Sequence, residues 1–206
     1  MTALKVRSIG MVVGMSLAAA LLGGCEVDTH KDANGEHVKV ATPFGGVQVK
    51  TGDSANVAQG IGIATYPGAV PTKKGDNGKD SNSADVNVSF GDFKVRVKAV
   101  SFHSDDSQDK IIAFYRKELG KYGPVIQCSD GQPVGQPVKT PEGLTCDDDH
   151  GHGNSDVDGK IELKAGSEQH QHLVAIDPKG DGTKFALIVL DLPLHISIGT
   201  HGSDDK

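Results

Sequence analysis

Apolar residues in this chain recur at two spacings, and the spacing changes partway along. Val86, Val88 and Phe90 alternate with polar residues, Gly91-Asp92 interrupts them, and Phe93, Val95 and Val97 resume the alternation. A period of two puts alternate side chains on one face of a strand, and a two-residue turn fixes the register of a hairpin. Closing the turn at Gly91-Asp92 pairs Phe90 with Phe93, Val88 with Val95 and Val86 with Val97, all on one face. That face is expected to be core, so Val88→Asp is expected to cost several kcal/mol by burying an unpaired charge. Val100 and Phe102 have the opposite parity, which predicts a bulge or strand end near Lys98-Ala99. Upstream, Val38 and Val40, a turn over Pro43-Phe44-Gly45-Gly46, and Val47 and Val49 predict a second hairpin. A two-stranded hairpin is marginal alone, so it docks on the main domain or stays mobile.

The spacing then becomes helical. Ile111, Phe114, Tyr115, Leu119 and Tyr122 fall on one stripe, Asp105 and Gln108 resemble a capping pair, and Gly120 or Gly123 ends the run. The stripe is expected to pack on the sheet. After it, Pro124 to Cys128, Ile161 with Leu163, His172 with Val174 and Ile176, and Phe185 with Leu187 and Val189 predict further strands. Leu194 to Ile198 offers one more edge. Strand, strand, helix and then several strands implies an α+β fold: a mainly antiparallel sheet with one helix packed on one face. An N-terminal hairpin and a flexible tether complete it.

The first residues follow neither pattern. Lys5 and Arg7 precede an almost wholly apolar or small run from Ile9 to Leu22, which ends at Leu22-Gly23-Gly24-Cys25. A membrane span needs about 20 apolar residues, so this run reads as the hydrophobic region of a secretory signal. The Leu-Gly-Gly-Cys ending resembles the lipobox of bacterial lipoproteins. That resemblance implies cleavage after Gly24, acylation of Cys25, and a membrane partner held through lipid rather than a helix. Glu26, where an inner-membrane retention signal would place Asp, tilts the expected location to the outer membrane, facing the periplasm. Tyr66-Pro67-Gly68-Ala69, followed by Phe114-Tyr115 and Leu119, is similar to uncharacterised bacterial envelope lipoproteins over residues 60–125, and implies no activity.

These readings divide the chain into a removed signal (1–24), a tether (25–36), a hairpin and turn-rich segment (37–71), a mobile loop (72–84), the α+β domain (85–198) and a disordered tail (199–206). Losing the signal removes Lys5 and Arg7 but no acid, which takes the formal charge from −6 to −8. An acidic chain argues against nucleic acid as a partner. With Cys25 assigned to lipid, Cys128 and Cys146 are left for each other, and an exported chain meets an oxidising compartment.

The best candidate for chemistry is one stretch. Cys146-Asp147-Asp148-Asp149-His150-Gly151-His152 runs on to Asn154, Asp156 and Asp158. Such a loop offers oxygens for Ca²⁺ or imidazoles for Zn²⁺, Ni²⁺ or Cu²⁺. Residues 154–161 resemble the first half of an EF-hand loop, but Ala165 stands where a bidentate Glu would close it. His170 and His172 share one face of a strand, so a divalent metal held by His150, His152, His170 and His172, with Asp156 and Asp158, is the alternative function. Against it stands the plainer reading that these are solvated side chains. The sequence holds no Gly-x-Ser-x-Gly, His-Glu-x-x-His or phosphate-loop motif, so the expectation is a non-enzymatic envelope lipoprotein without a cofactor. It would act through binding or structural contacts with an envelope protein or surface component.

Overall fold

The computed structural model describes residues 25–32, 35–74, 80–81, 83–146, 161–177 and 182–193. Strands β1 (Glu26–Asp32), β2 (Gly35–Thr42) and β3 (Gly45–Thr51) precede helix α1 (Ser54–Ile61). Short strands β4 (Val70–Pro71), β5 (Lys73–Lys74) and β6 (Asp80–Ser81) lead to β7 (Ser83–Phe90), β8 (Phe93–Ser104) and helix α2 (Gln108–Leu119). A 3₁₀ turn over Gly120–Tyr122 is followed by β9 (Ile126–Ser129), β10 (Gln132–Pro133), β11 (Ile161–Ser167), β12 (His170–Asp177) and β13 (Thr183–Asp191). One antiparallel sheet runs β1-β2-β3-β7-β8-β13-β12-β11-β9-β10, with β4 continuing beside β8, and β5 and β6 forming a separate ribbon.

The sheet-dominated α+β description holds, with two helices rather than one. Helix α1 is short, and only Ser54, Val57 and Ile61 of it are buried. Its ends are defined locally: Asp53 accepts from the Asn56 N–H, and Gly62 takes a left-handed conformation at the C-cap (φ 79°). A two-turn helix with so few apolar positions leaves almost no periodic trace.

The segment read as a tether is also structured. Glu26 to Asp32 pair residue by residue with Ala41 to Gly35, because an extended chain beside β2 satisfies that strand's outer hydrogen-bonding groups. Of the two expectations for the first hairpin, docked or mobile, the structure shows it docked. Its β3 pairs with β7 from Gly45↔Phe90 to Thr51↔Ala84, which joins it to the main sheet. Within the stretch read as a mobile loop, β5 pairs with β6, and β7 already begins at Ser83.

Both hairpins close at the expected positions, with Val88↔Val95 and Val86↔Val97 in one and Val40↔Val47 in the other. The bulge expected near Lys98-Ala99 is absent: register runs unbroken from Phe90↔Phe93 to Ser83↔Val100. The change of parity has another cause. Val100 and Phe102 face the side of the sheet covered by α1 and α2, while Val95 and Val97 face the other side.

On the helix side, Ile111, Tyr115 and Leu119 of α2, with Val57 and Ile61 of α1, cover Val100, Leu163, Val174, Ile176 and Leu187 from the sheet. On the opposite side, Ile126, Cys128, Leu144 and Cys146 form a small second core at the far edge. Between that core and β1 the second face carries cross-strand rows, Val27-Val40-Val47-Val88-Val95 and Val38-Val49-Val86-Val97. No described helix covers those rows, and apart from the exposed Val27 their side chains are half-buried. The face expected to be core is therefore the open one, and the expected cost of Val88→Asp falls. We expect about 1–2 kcal/mol there, from lost cross-strand contacts and poor strand propensity. Val174→Asp, fully buried under the helices, should cost about 4 kcal/mol or more. Urea melts of the two variants check the assignment; equal costs would mean the faces are misassigned.

Candidate functional site

The Tyr66-Pro67-Gly68-Ala69 motif is a structural clasp. The Tyr66 ring meets Phe114 edge-on at 5.1 Å and Phe185 at 6.4 Å. Its backbone N–H donates to Tyr115 Oη (3.0 Å), and its own hydroxyl donates to Asp106 Oδ2 (2.8 Å). Lys110 donates to the other oxygen of Asp106 (2.6 Å), and Thr183 Oγ1 donates to the Asp106 carbonyl (2.7 Å). Hydrogen bonds from Lys110 and then Tyr66 hold the Asp106 carboxyl below its ordinary range, and the same contact with Asp106 raises the Tyr66 phenol. Every member is satisfied by a neighbour, so the cluster ties α2 to the preceding turn and presents no free acid or base.

Of the residues expected to bind metal, His150, His152, Asp156 and Asp158 lie outside the described residues. His170 and His172 do share one face of β12, with ring centroids 4.8 Å apart. Their surroundings then separate them. His170 is exposed, and its Nδ1 is engaged by Asp191 Oδ1 from β13. His172 is 5% exposed and stacks on Tyr122 at 3.6 Å and 14°, while Tyr122 Oη donates to the Gly62 carbonyl (2.6 Å). Among the described residues, no group of three or more His, Cys, Asp or Glu side chains converges to hold a metal ion.

Burial, reinforced by the neighbouring charge of His170 and partly opposed by Asp191, lowers the His172 pKa from 6.5 to about 4. His172 is thus a neutral, stacked imidazole at neutral pH. Because the folded-state value lies below the unfolded one, the unfolded chain binds the extra proton first. Stability is complete above about pH 6.5 and declines as pH falls towards 4, by about 2–3 kcal/mol. The stability of His172→Phe, which keeps the stack on Tyr122, should lack that part of the acid sensitivity. Parallel urea melts at pH 7 and pH 4.5 measure the difference, and identical pH dependence in the two proteins would refute it.

An open groove of about 550 Å³ lies beside β4, lined by Thr72, Ser101, His103, Asp177 and Lys184 among others. Lys184 stands across from both His103 and Asp177 in the sheet, and His103 lies 3.3 Å from Asp105. Lys184 faces the opposite charge of Asp177 across β12 and β13, which suits a solvated sheet surface.

Cysteines define the remaining site. Cys128 and Cys146 form a disulfide that pins the loop before Cys146 onto β9. Its sulfurs lie within the second core, against Ile126 and Leu144. Cys25 is the one free cysteine, and it is exposed. It immediately precedes β1 and shares a shallow hollow with Glu26, Thr42 and Pro43 of the neighbouring turn. No helix among the described residues is long and apolar enough to cross a membrane. Comparison with protein-family models, curated proteins and solved structures finds no match to the chain.

Proposed function

We propose that this chain is an envelope lipoprotein, held on a membrane by acyl chains on Cys25, and that it works without catalysis through binding or structural contacts. The observation that carries this reading is the division of the cysteines: two are joined in a buried disulfide, and the third is exposed at the start of the first strand. A disulfide suits an exported protein, and the apolar run ending at Cys25 supplies the export signal. Each buried methylene contributes about 0.8 kcal/mol, so two or three acyl chains anchor stably where one would not. Glu26 at the second mature position favours the outer membrane and a periplasm-facing domain. Contacts with an envelope protein or surface component then follow from where the domain is held.

Fractionation tests the reading. The wild-type chain should sediment with vesicles and carry acyl mass on Cys25, and Cys25→Ser should move to the aqueous fraction. A Cys25→Ser chain that stays as firmly bound as the wild type removes the anchor.

A further inference from the structure

We propose that the end of the sheet beside Cys25 is a bilayer-docking surface, with Phe44, Phe90 and Phe93 entering the interfacial zone of the lipid. The inference rests on the anchor reading above and adds which part of the folded domain meets the membrane.

The chain has six phenylalanines. Phe102, Phe114 and Phe185 pack in or against the main core. The other three are exposed: Phe44 80%, Phe90 52% and Phe93 37%. All three sit at one end of the sheet. Phe44 tips the β2–β3 turn, while Phe90 and Phe93 face each other across the β7–β8 turn. The two turns are tied together, since the Gly91 N–H donates to the Phe44 carbonyl (3.2 Å), and Gly45 pairs with Phe90. Val27, 65% exposed on β1, extends the same apolar surface towards Cys25. Clustered exposed aromatics mark a contact site.

What they contact is fixed by Cys25. Glu26 is already paired with Ala41, so no flexible spacer separates the anchored residue from the sheet. Cys25 lies in the same hollow as Pro43, the residue before Phe44. An extended residue spans only about 3.5 Å, and apolar surfaces of interfacial elements sink about 5–10 Å into the headgroup–acyl boundary. Acyl chains on Cys25 therefore hold the aromatic tips within that depth. Charges nearby are net acidic, with Glu26 and Asp92 against Lys94 alone, all exposed. Such a surface suits the apolar part of the interface rather than anionic headgroups.

The chain contains no tryptophan, so Phe44→Trp installs a single reporter. Val138→Trp, at an exposed position (53%) in the loop beside the opposite edge of the sheet, is the control. Both full-length variants, purified with their lipid, are placed at low density in phosphatidylethanolamine–phosphatidylglycerol vesicles with brominated acyl chains. Phe44→Trp should emit at shorter wavelength and be quenched several-fold more than Val138→Trp. Equal quenching in protein whose mass shows acylated Cys25 overturns the docking surface and leaves the anchor standing. Unmodified Cys25 overturns both. A blue shift without bromine quenching, growing with protein density, overturns the proposal in favour of contact with a second copy.

Discussion

Tyr115→Ala should cost about 5 kcal/mol, from the loss of a large aromatic side chain in a core that cannot collapse around the gap. Tyr115 is fully buried. Its ring meets Phe185 at 5.3 Å and Phe114 at 5.0 Å, and its hydroxyl accepts from the Tyr66 N–H. Aromatic pairs of this kind add about 0.5–1.5 kcal/mol beyond the area they bury. Losing the ring also leaves the Tyr66 N–H without its partner, so helix, sheet and the Tyr66 turn separate together. Domains of this kind are stable by about 5–15 kcal/mol in total, and the variant should be partly unfolded at 37 °C. Tyr115→Phe isolates the hydroxyl and should cost about 1 kcal/mol. Urea melts of both variants test the account. A Tyr115→Ala midpoint no lower than that of Tyr115→Phe would show that ring packing does not hold α2 to the sheet.

Removing the disulfide is also expected to have a large effect, centred on one edge of the sheet. The cysteines are 18 positions apart, and opening a loop of that length releases about 3 kcal/mol of restraint on the unfolded chain. The loss does not stop at entropy. Ile126 and Leu144 are fully buried beside the two sulfurs, and β9 is held to β11 by pairs from Ile161↔Ser129 to Lys164↔Ile126. Lys164 is only 2% exposed, and its ammonium lies 3.5 Å from Glu162. Freeing the loop should therefore loosen the far edge and admit water to Lys164. We expect Cys128→Ala/Cys146→Ala to melt roughly 10 °C lower than the oxidised protein. Amide exchange should quicken first in β9 and β11 while β8 and β13 stay protected. Uniform exchange across the sheet, or an unchanged melting temperature, would mean that the edge is held by something other than the cross-link.

Several elements were legible in the residues because local chemistry specifies them. Gly91-Asp92 supplies a two-residue turn, and the alternation on either side admits one register, the one observed. The stripe from Ile111 to Leu119 defines α2, whose buried residues are Ile111, Tyr115 and Leu119. Pairing Cys128 with Cys146 needed only a count of cysteines with Cys25 set aside, and the structure shows that pair joined. Helix α1 escaped because two buried aliphatic residues do not make a period. Strand β1 escaped because Glu26-Val27-Asp28-Thr29-His30-Lys31-Asp32 is polar throughout apart from Val27. An edge strand is recruited by its neighbour's free hydrogen-bonding groups, whatever its own side chains.

The histidines show the same division at the level of a site. Spacing alone places His170 and His172 on one face, and the structure keeps them there. Only the fold brings Tyr122 over one ring and Asp191 against the other, which makes the first a buried neutral group and leaves the second exposed beside a carboxylate.

By itself, then, the sequence determined the periods, the turns, the pairing partners of Val86 to Val97, and the separation of Cys25 from the other two cysteines. Tertiary structure decided which face of each strand is covered. Alternation states that two sides differ, but not which one receives α1 and α2. That choice depends on contacts between residues far apart in the chain, such as Tyr66 with Tyr115 and Val57 with the sheet. It is why the valines of the clearest hairpin lie on the open face, and why three phenylalanines are exposed at the end of the sheet where β1 begins.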